Sequence, residues 1–121
     1  MDINGILIGS ENPARLRDYY TKLFGKPGWD EGGYFGWQIG SGSVTVGPHD
    51  QVKGKNSQPG RVIWNITTAD VKAEFEKLKA AGATVVRDPY QMEGAPVDVA
   101  QMTIATFSDP DNNYFQLMSP M

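Results

Sequence analysis

Cysteine is absent from the 121-residue chain, and histidine occurs once, at His49. Without cysteine there can be no disulfide, no thiolate metal site and no cysteine nucleophile. With one histidine, a metal site that needs two or more histidines cannot be built within one chain. Histidine-based acid–base and serine–histidine schemes have one possible centre. These two scarcities narrow the range of catalytic sites more than any other feature of the composition.

The chain also lacks a strong excess of charge of either sign, and it has no long apolar run. Eleven Lys and Arg residues against fourteen Asp and Glu give a net charge of -3, with no basic cluster that would favour a nucleic-acid partner. No apolar run is long enough to span a bilayer, and the first residues lack the cationic and apolar segments of a signal peptide. We therefore expect a cytoplasmic protein without a membrane partner. The length and the 40% hydrophobic content fit a single compact domain, residues 1–121.

The first half of the chain reads as a strand, a helix and a hairpin. Residues 3–9 form a short strand, and the segment after it has a helix N-cap at Asn12, Pro13 in the first turn and Gly25 at the end. The segment KPGWDEGG reads as a loop. Residues 34–40 alternate strictly, and SGSVTVG supplies a turn and the second strand of a hairpin.

The second half repeats this order of elements after a polar linker, residues 49–60. It reads as a strand at residues 61–67, a helix capped by Asp70 or Thr68 and ended by Gly82, a strand ATVVRDP, a loose connection YQMEGAPVDVA, and a closing hairpin. Each half therefore holds a strand, a helix and about three strands, which predicts an α+β protein of two modules, residues 1–50 and 60–121. Two such modules could set their sheets side by side with the helices outside. The inner faces would then form a concave surface for a ligand.

The turn in the last hairpin, SDPDN, has a physical explanation of its own. The Asp109 side chain can bond to the backbone two residues on, and Pro110 presets φ at the second turn position. Asn112 falls where a left-handed conformation is expected, which asparagine tolerates. We therefore assign Asp109 and Asp111 to turn chemistry, although they resemble a catalytic carboxylate pair. Beyond the turn, alternation predicts Tyr114, Gln116 and Met118 on one face of the strand.

The segment FSDPDNNYFQL resembles the C-terminal signature of the vicinal oxygen chelate superfamily, the group of glyoxalase I, bleomycin-resistance proteins and extradiol dioxygenases. That signature is Asp-Pro-Asp-Gly-Asn, two variable residues and Glu-Leu. The positions that match it are Asp109, Pro110, Asp111, Asn113 and Leu117. Asn112 replaces the glycine, and Gln116 replaces the glutamate. The two helical segments also resemble those of the superfamily. The resemblance implies two βαβββ modules that form a cupped mixed sheet with helices outside.

Metal-dependent members of that superfamily take four ligands from four strands, and this sequence departs at each position. The histidine position of the first strand falls near Gly5, the fourth strand has residues 44–46 (Val-Thr-Val) where a Glu or His is expected, and the fifth strand has no histidine. Gln116 alone stands on a ligand position, and an amide oxygen is a weak ligand without stronger ones. The resemblance thus implies the fold and the cavity, without a metal or another cofactor. Metal-free members are mostly small ligand-binding proteins, including dimeric drug-sequestering resistance proteins.

The candidate ligand-binding residues are Gln116, Trp64, Trp37, Tyr114, Met118, Phe35 and His49. Gln116 is either a cavity-lining group or an ordinary strand residue satisfied by a neighbour, and the alternation together with the resemblance favours the cavity. The face that holds Phe35 and Trp37 either packs under a helix or stacks a planar ligand, and the sequence does not decide between them. Trp64 lies next to a ligand position of the superfamily. His49 reads as an exposed loop residue, and its functional alternative is a lone general base.

We therefore predict a small metal-free ligand-binding protein of the glyoxalase/bleomycin-resistance type. Its ligand would be a small hydrophobic or planar molecule, for example an antibiotic, held on the concave face, and the resemblance implies a homodimer. The alternative is a lyase, isomerase or dioxygenase of the same superfamily with an atypical metal site. A third interpretation is a structural or regulatory subunit whose cavity is filled by its own side chains. Whether the chain catalyses a reaction stays open on the sequence.

Overall fold

The computed structural model describes residues 1–91 and 102–120 of the chain. The chain divides into two compact units, Met1–Lys55 and Asn56–Met121. Among the described residues, no helix is both long and apolar enough to cross a membrane.

The first unit contains one helix and a four-stranded mixed sheet. Its elements are β1 (Gly5–Ser10), α1 (Pro13–Phe24), β2 (Trp29–Glu31), β3 (Tyr34–Ile39) and β4 (Gly42–Pro48). The strand order is β1-β4-β3-β2, with β1 parallel to β4 and the other pairs antiparallel. The predicted helix boundaries are confirmed, since the Asn12 side chain accepts a hydrogen bond from the backbone N–H of Arg15 and Gly25 has a positive φ of 89°.

The second unit has the same plan. Its elements are a 3-10 turn (Pro59–Arg61), β5 (Ile63–Thr67), α2 (Val71–Ala80), β6 (Thr84–Gln91), β7 (Thr103–Ser108) and β8 (Tyr114–Met118). The strand order is β5-β8-β7-β6, with β5 parallel to β8 and the other pairs antiparallel. Asp70 caps α2 by accepting from the backbone N–H of Ala73, 3.1 Å away, while Thr68 accepts from the N–H of Asp70.

The repetition of the two halves is confirmed in detail. In both sheets the first strand pairs in parallel with the last, and the two middle strands follow in the same order. A parallel pair needs a crossover, which the helix supplies in each unit. The protein is therefore α+β, built from two similar βαβββ modules, as the sequence predicts.

Strand β2 lies where the sequence predicts a loop, and that prediction is wrong. Trp29–Glu31 pairs with β3 through a Gly32–Gly33 turn in which both glycines have positive φ, 64° and 85°. Two positive-φ residues match the twist of a tight hairpin, and glycine adopts that backbone without steric cost. The Gly-Gly pair was the available signal for this hairpin.

Strand β6 is also longer than predicted. It continues through Tyr90 and Gln91, which the sequence assigns to a loose connection, and residues 92–100 of that connection lie outside the described residues. Pro89 suggested the end of the strand because proline cannot donate a ladder hydrogen bond. The strand accommodates it at an irregularity of the β6–β7 register.

Candidate functional site

The helix side of the second sheet is an aromatic core. Phe75 of α2 stacks on Phe107 with ring centroids 5.4 Å apart, Phe107 stacks on Phe115 at 5.3 Å, and Phe115 stacks on Trp64 at 5.0 Å. Since alternate residues of a strand point to opposite faces, Gln116 must lie on the other side of the sheet. We call that side the α2-distal face. Its residues on β8 are Tyr114, Gln116 and Met118, all half-buried, between the buried Phe115 and Leu117. The predicted facing of β8 is confirmed.

Trp64 lies on the opposite side from Gln116. Its Cα partner is Phe115, on whose ring the indole stacks, and it therefore belongs to the α2 side. Trp64 was a candidate because it lies next to a ligand position of the superfamily. The pairing of β5 with β8 determines which side of the sheet its side chain faces. Trp64 is accordingly not a residue of the α2-distal face.

A row of polar side chains crosses the α2-distal face. Gln116 is the Cα partner of Asn65 on β5 and of Thr106 on β7, and Thr106 is in turn the partner of Arg87 on β6. The Gln116 side-chain amide donates to the Thr106 hydroxyl, with 3.2 Å between Nε2 and Oγ1. Thr106 is only 6% exposed, Gln116 is half-buried and Asn65 is exposed. The amides therefore become more accessible toward the edge strand β5.

Apolar side chains flank this polar row. On one side lie Met118 and its β7 partner Ile104, and on the other lie Tyr114 and its β5 partner Ile63. A few fixed hydrogen-bonding groups between apolar side chains are the usual lining of a small-molecule site. This face can hold an amide, hydroxyl or carbonyl of a ligand while contacting its apolar part.

In the first unit, Trp37 and Phe35 pack under α1. The Trp37 ring lies 5.9 Å from that of Tyr20, and its Nε1 donates to the carbonyl of Gly25 at 2.8 Å. Phe35 is buried, with the Arg17 guanidinium 4.9 Å from its ring centre. Of the two alternatives left open by the sequence, packing under a helix is the one observed. Neither residue lies on the sheet face that points away from α1, the α1-distal face.

The α1-distal face carries aromatic residues that the sequence did not single out. Trp29 is the Cα partner of Gly36, and a Cβ on that glycine would overlap the indole ring; a Cβ on Gly47 would overlap the ring of Tyr34 in the same way. Trp29 is 38% exposed and Tyr34 40%. The alternation of β3 already predicted that Tyr34 and Gly36 share a face. Trp29 was missed because β2 was read as a loop.

His49 lies in an exposed loop directly after β4, as predicted. Its Nδ1 accepts from the backbone N–H of Gln51 at 3.2 Å and lies 3.7 Å from a carboxylate oxygen of Asp50. Its Cβ closes over Gly9, where a further Cβ would be too close. These contacts give His49 a role in the loop. Among the described residues, none of its contacts is with a residue of the polar row.

The SDPDN turn is held as predicted. The Oδ1 atom of Asp109 accepts from the backbone N–H groups of Asp111 and Asn113, both at 2.9 Å, and the side-chain amide of Asn113 adds further bonds to this carboxylate. Asn112 has the expected positive φ, 64°. The linker residue Asn56 bonds to the same turn, because its N–H donates to the carbonyl of Asp111 and its carbonyl accepts from the Asn112 side chain. The Asp109 carboxylate is therefore occupied in holding the turn, and Asp111 takes part in the turn through its backbone N–H and carbonyl.

Metal ligands are not assembled in the part of the chain that the structure describes. Within residues 1–91 and 102–120, no group of three or more His, Cys, Asp or Glu side chains is placed to hold a metal ion. Around Gln116 the nearest strand partners are Asn65 and Thr106, an amide and a hydroxyl. Neutral oxygen donors of this kind do not fit a catalytic transition-metal site, which draws on imidazole and carboxylate ligands.

Comparison with known families identifies the class to which this chain belongs. The glyoxalase-like domain family matches residues 5–118. The chain therefore belongs to this family, within the vicinal oxygen chelate superfamily that the C-terminal signature indicated. An uncharacterized protein of Mycolicibacterium smegmatis is 26% identical over 89 residues, which cover 74% of each chain.

Solved structures agree on the fold. A glyoxalase/bleomycin resistance protein/dioxygenase family enzyme from Burkholderia phytofirmans PsJN is 17% identical, with a TM-score of 0.71 and complete coverage of both chains. A glyoxalase/bleomycin resistance protein/dioxygenase from Alicyclobacillus acidocaldarius is 16% identical, with a TM-score of 0.75, and 98% of this chain and 90% of that one are covered. A glyoxalase/bleomycin resistance protein from Albidiferax ferrireducens T118 is 16% identical, with a TM-score of 0.73 and 98% of both chains covered. At this level of identity the similarity establishes the fold alone.

Proposed function

We propose that the protein is a metal-free small-molecule-binding protein of the glyoxalase/bleomycin-resistance type. Its ligand is a small hydrophobic or planar molecule, for example an antibiotic, because related structures are named as bleomycin resistance proteins. The observation that carries this proposal is the polar row on the α2-distal face. There Gln116 stands where metal-dependent relatives have a glutamate ligand, and it is oriented by a hydrogen bond to Thr106.

The chemistry of Gln116 supports binding in place of metal catalysis. Its amide has two donor hydrogens and an acceptor oxygen, so the bond to Thr106 leaves one donor and the oxygen for a ligand. Asn65, its exposed neighbour on β5, offers the same groups. A ligand carbonyl or amide can therefore form paired hydrogen bonds here while its apolar part contacts Met118 and Tyr114.

The first unit, taken by itself, also has aromatic side chains that can contact a planar molecule. Trp29 and Tyr34 lie over glycines on the α1-distal face and keep part of their rings exposed. Leu7, on the same face, is 60% exposed. Exposed apolar residues in one region commonly mark a ligand or partner surface, and aromatic rings stack well with planar molecules.

The test is a titration of ¹⁵N-labelled protein with planar aromatic probes, starting with 2-naphthamide. We expect saturable shifts of the side-chain amide signals of Gln116 and Asn65. The Gln116→Leu variant, which removes the hydrogen-bonding groups, should bind about tenfold more weakly, a factor that corresponds to about 1.4 kcal/mol. Gln51→Leu, at an exposed position of the linker, should bind like the wild type. Probes that leave both side-chain amides unshifted at saturation would contradict the proposal.

Two further parts of the proposal are a homodimer, which the family resemblance implies, and a cytoplasmic location, which the sequence composition favours. Sedimentation equilibrium of the purified protein tests the first, since a dimer has twice the mass of the 13.3 kDa chain. A monomer at micromolar concentration would refute this part without affecting ligand binding on the α2-distal face.

A further inference from the structure

The polar row on the α2-distal face ends in a charged residue, Arg87. From its position and its stacking on Tyr90, we infer that Arg87 binds an anionic group, a carboxylate, of the same ligand that contacts Gln116. This inference rests on the proposed function and narrows it to planar or hydrophobic molecules that carry a carboxylate.

An irregularity of β6 places Arg87 and Tyr90 on one face. In a regular strand, residues three apart point to opposite faces. Here the register shifts on both sides of Arg87, so that Arg87 pairs with Thr106 and Tyr90 pairs with Ile104. Thr106 and Ile104 are two residues apart and share the α2-distal face. Their partners on β6 therefore share it too, and bulges of this kind commonly re-aim a side chain near a site.

Contact between the two side chains bears this out. The guanidinium carbon of Arg87 lies 3.5 Å from the centre of the Tyr90 ring. A guanidinium that stacks on a ring uses its face, and its N–H donors in the plane stay available to a carboxylate. Tyr90 is half-buried, so the ring is a fixed support, while Arg87 is exposed. None of the ion pairs found in residues 1–91 and 102–120 involves Arg87.

The spacing of the row suits one ligand. Arg87 and Gln116 lie on strands separated by β7, so their Cα positions are about 10 Å apart across the sheet. Between them lies Thr106, whose hydroxyl already accepts from Gln116. A molecule of two fused rings with a carboxylate at one end is long enough to place the carboxylate at Arg87 and extend its rings toward Gln116. A cationic ligand would instead be repelled by Arg87.

The test compares three probes that share one ring system and differ in charge. They are 2-naphthoate, 2-naphthamide and 2-naphthylmethylammonium, titrated at low salt into the full chain and monitored by side-chain signals of Arg87 and Gln116. We expect 2-naphthoate to bind about tenfold more tightly than 2-naphthamide, and the cation to bind least. Arg87→Gln should remove the preference for the anion, so that 2-naphthoate and 2-naphthamide bind this variant with equal affinity. Lys72→Gln, the same loss of charge on the exposed side of α2, should leave the preference intact.

Two more variants examine how Arg87 is held. Tyr90→Phe keeps the ring and should keep the preference for 2-naphthoate, whereas Tyr90→Leu should reduce it. Equal binding of 2-naphthoate and 2-naphthamide, unaffected by Arg87→Gln, would overturn this inference and leave the proposed function standing. Binding of none of the three probes would overturn the proposed function and the inference with it.

Discussion

The side-chain amide of Gln116 donates to the hydroxyl of Thr106, its Cα partner on the neighbouring antiparallel strand, over 3.2 Å. This bond fixes the amide on a face where Gln116's own strand partners, Asn65 and Thr106, are neutral polar residues. It explains how a residue at a position typical of a metal ligand can serve as a hydrogen-bonding group. The energetic value of the contact can be measured directly.

A double-mutant cycle isolates the Gln116–Thr106 bond. Thr106→Val removes the hydroxyl at nearly constant volume, and Gln116→Leu removes the amide. We expect a coupling free energy of about 1 kcal/mol in urea unfolding, because a typical hydrogen bond contributes about that much net. Strictly additive effects of the two substitutions would show that the bond does not contribute in solution.

Asp109 should act on stability and not on ligand binding. It is 4% exposed, and replacing it with alanine leaves at least two backbone N–H donors of the turn without their acceptor. We expect Asp109→Ala to lower the free energy of unfolding by about 3 kcal/mol, and Asp109→Asn, which keeps an acceptor oxygen, to cost less. Asp50→Ala, at an exposed loop position, should change stability by less than about 0.5 kcal/mol.

The affinity of the Asp109→Asn variant for 2-naphthamide distinguishes a role of Asp109 in stability from a role in ligand binding. An unchanged affinity is expected, since the carboxylate is occupied by the turn. Loss of binding in a folded Asp109→Asn protein would show that the carboxylate also contributes to ligand binding.

Asn112 should tolerate glycine better than alanine. Its φ of 64° is unfavourable for a residue with a Cβ, and its side chain also donates to the carbonyl of Asn56. Asn112→Gly loses the hydrogen bond but relaxes the backbone, whereas Asn112→Ala loses the bond and keeps the strain. We expect the alanine variant to be less stable than the glycine variant by about 1 kcal/mol in urea unfolding. Equal stabilities would mean that the backbone is not left-handed in solution.

Gly36 should control the position of Trp29. A Cβ at Gly36 would overlap the indole ring, so Gly36→Ala must displace that side chain. We expect tryptophan emission to shift to the red and acrylamide quenching to increase. Gly60→Ala is the matched control, because a Cβ there meets no atom within 4 Å. An unchanged spectrum in Gly36→Ala would show that the indole does not lie over the glycine.

Local signals in the sequence predicted most of the fold. The caps at Asn12 and Asp70 set the starts of the helices, and the alternation of β8 set the facing of Gln116. The sequence did not predict the sheet face of a side chain where that face depends on how strands and helices pack together. The sequence could not show that Trp64 stacks on Phe115, or that Trp37 packs against α1, because alternation separates the two faces of a strand without showing which face a helix covers.

The missed residues have a common physical cause. Trp29 lies on a three-residue strand that is defined by its pairing and not by a periodic pattern. Arg87 and Tyr90 share a face only because β6 departs from regular register, and a bulge has no alternation to reveal it. Such irregularities are where side chains are re-aimed, so the candidate site was harder to predict than the core.

The most direct test of the central claim is the affinity for 2-naphthamide with and without a metal chelator. The wild-type protein, purified without added chelator, is titrated before and after exhaustive treatment with EDTA. We predict the same dissociation constant in both titrations and the same shift of the Gln116 side-chain amide. Loss of binding after EDTA, restored by stoichiometric zinc, nickel, iron or manganese, would contradict a metal-free binding protein.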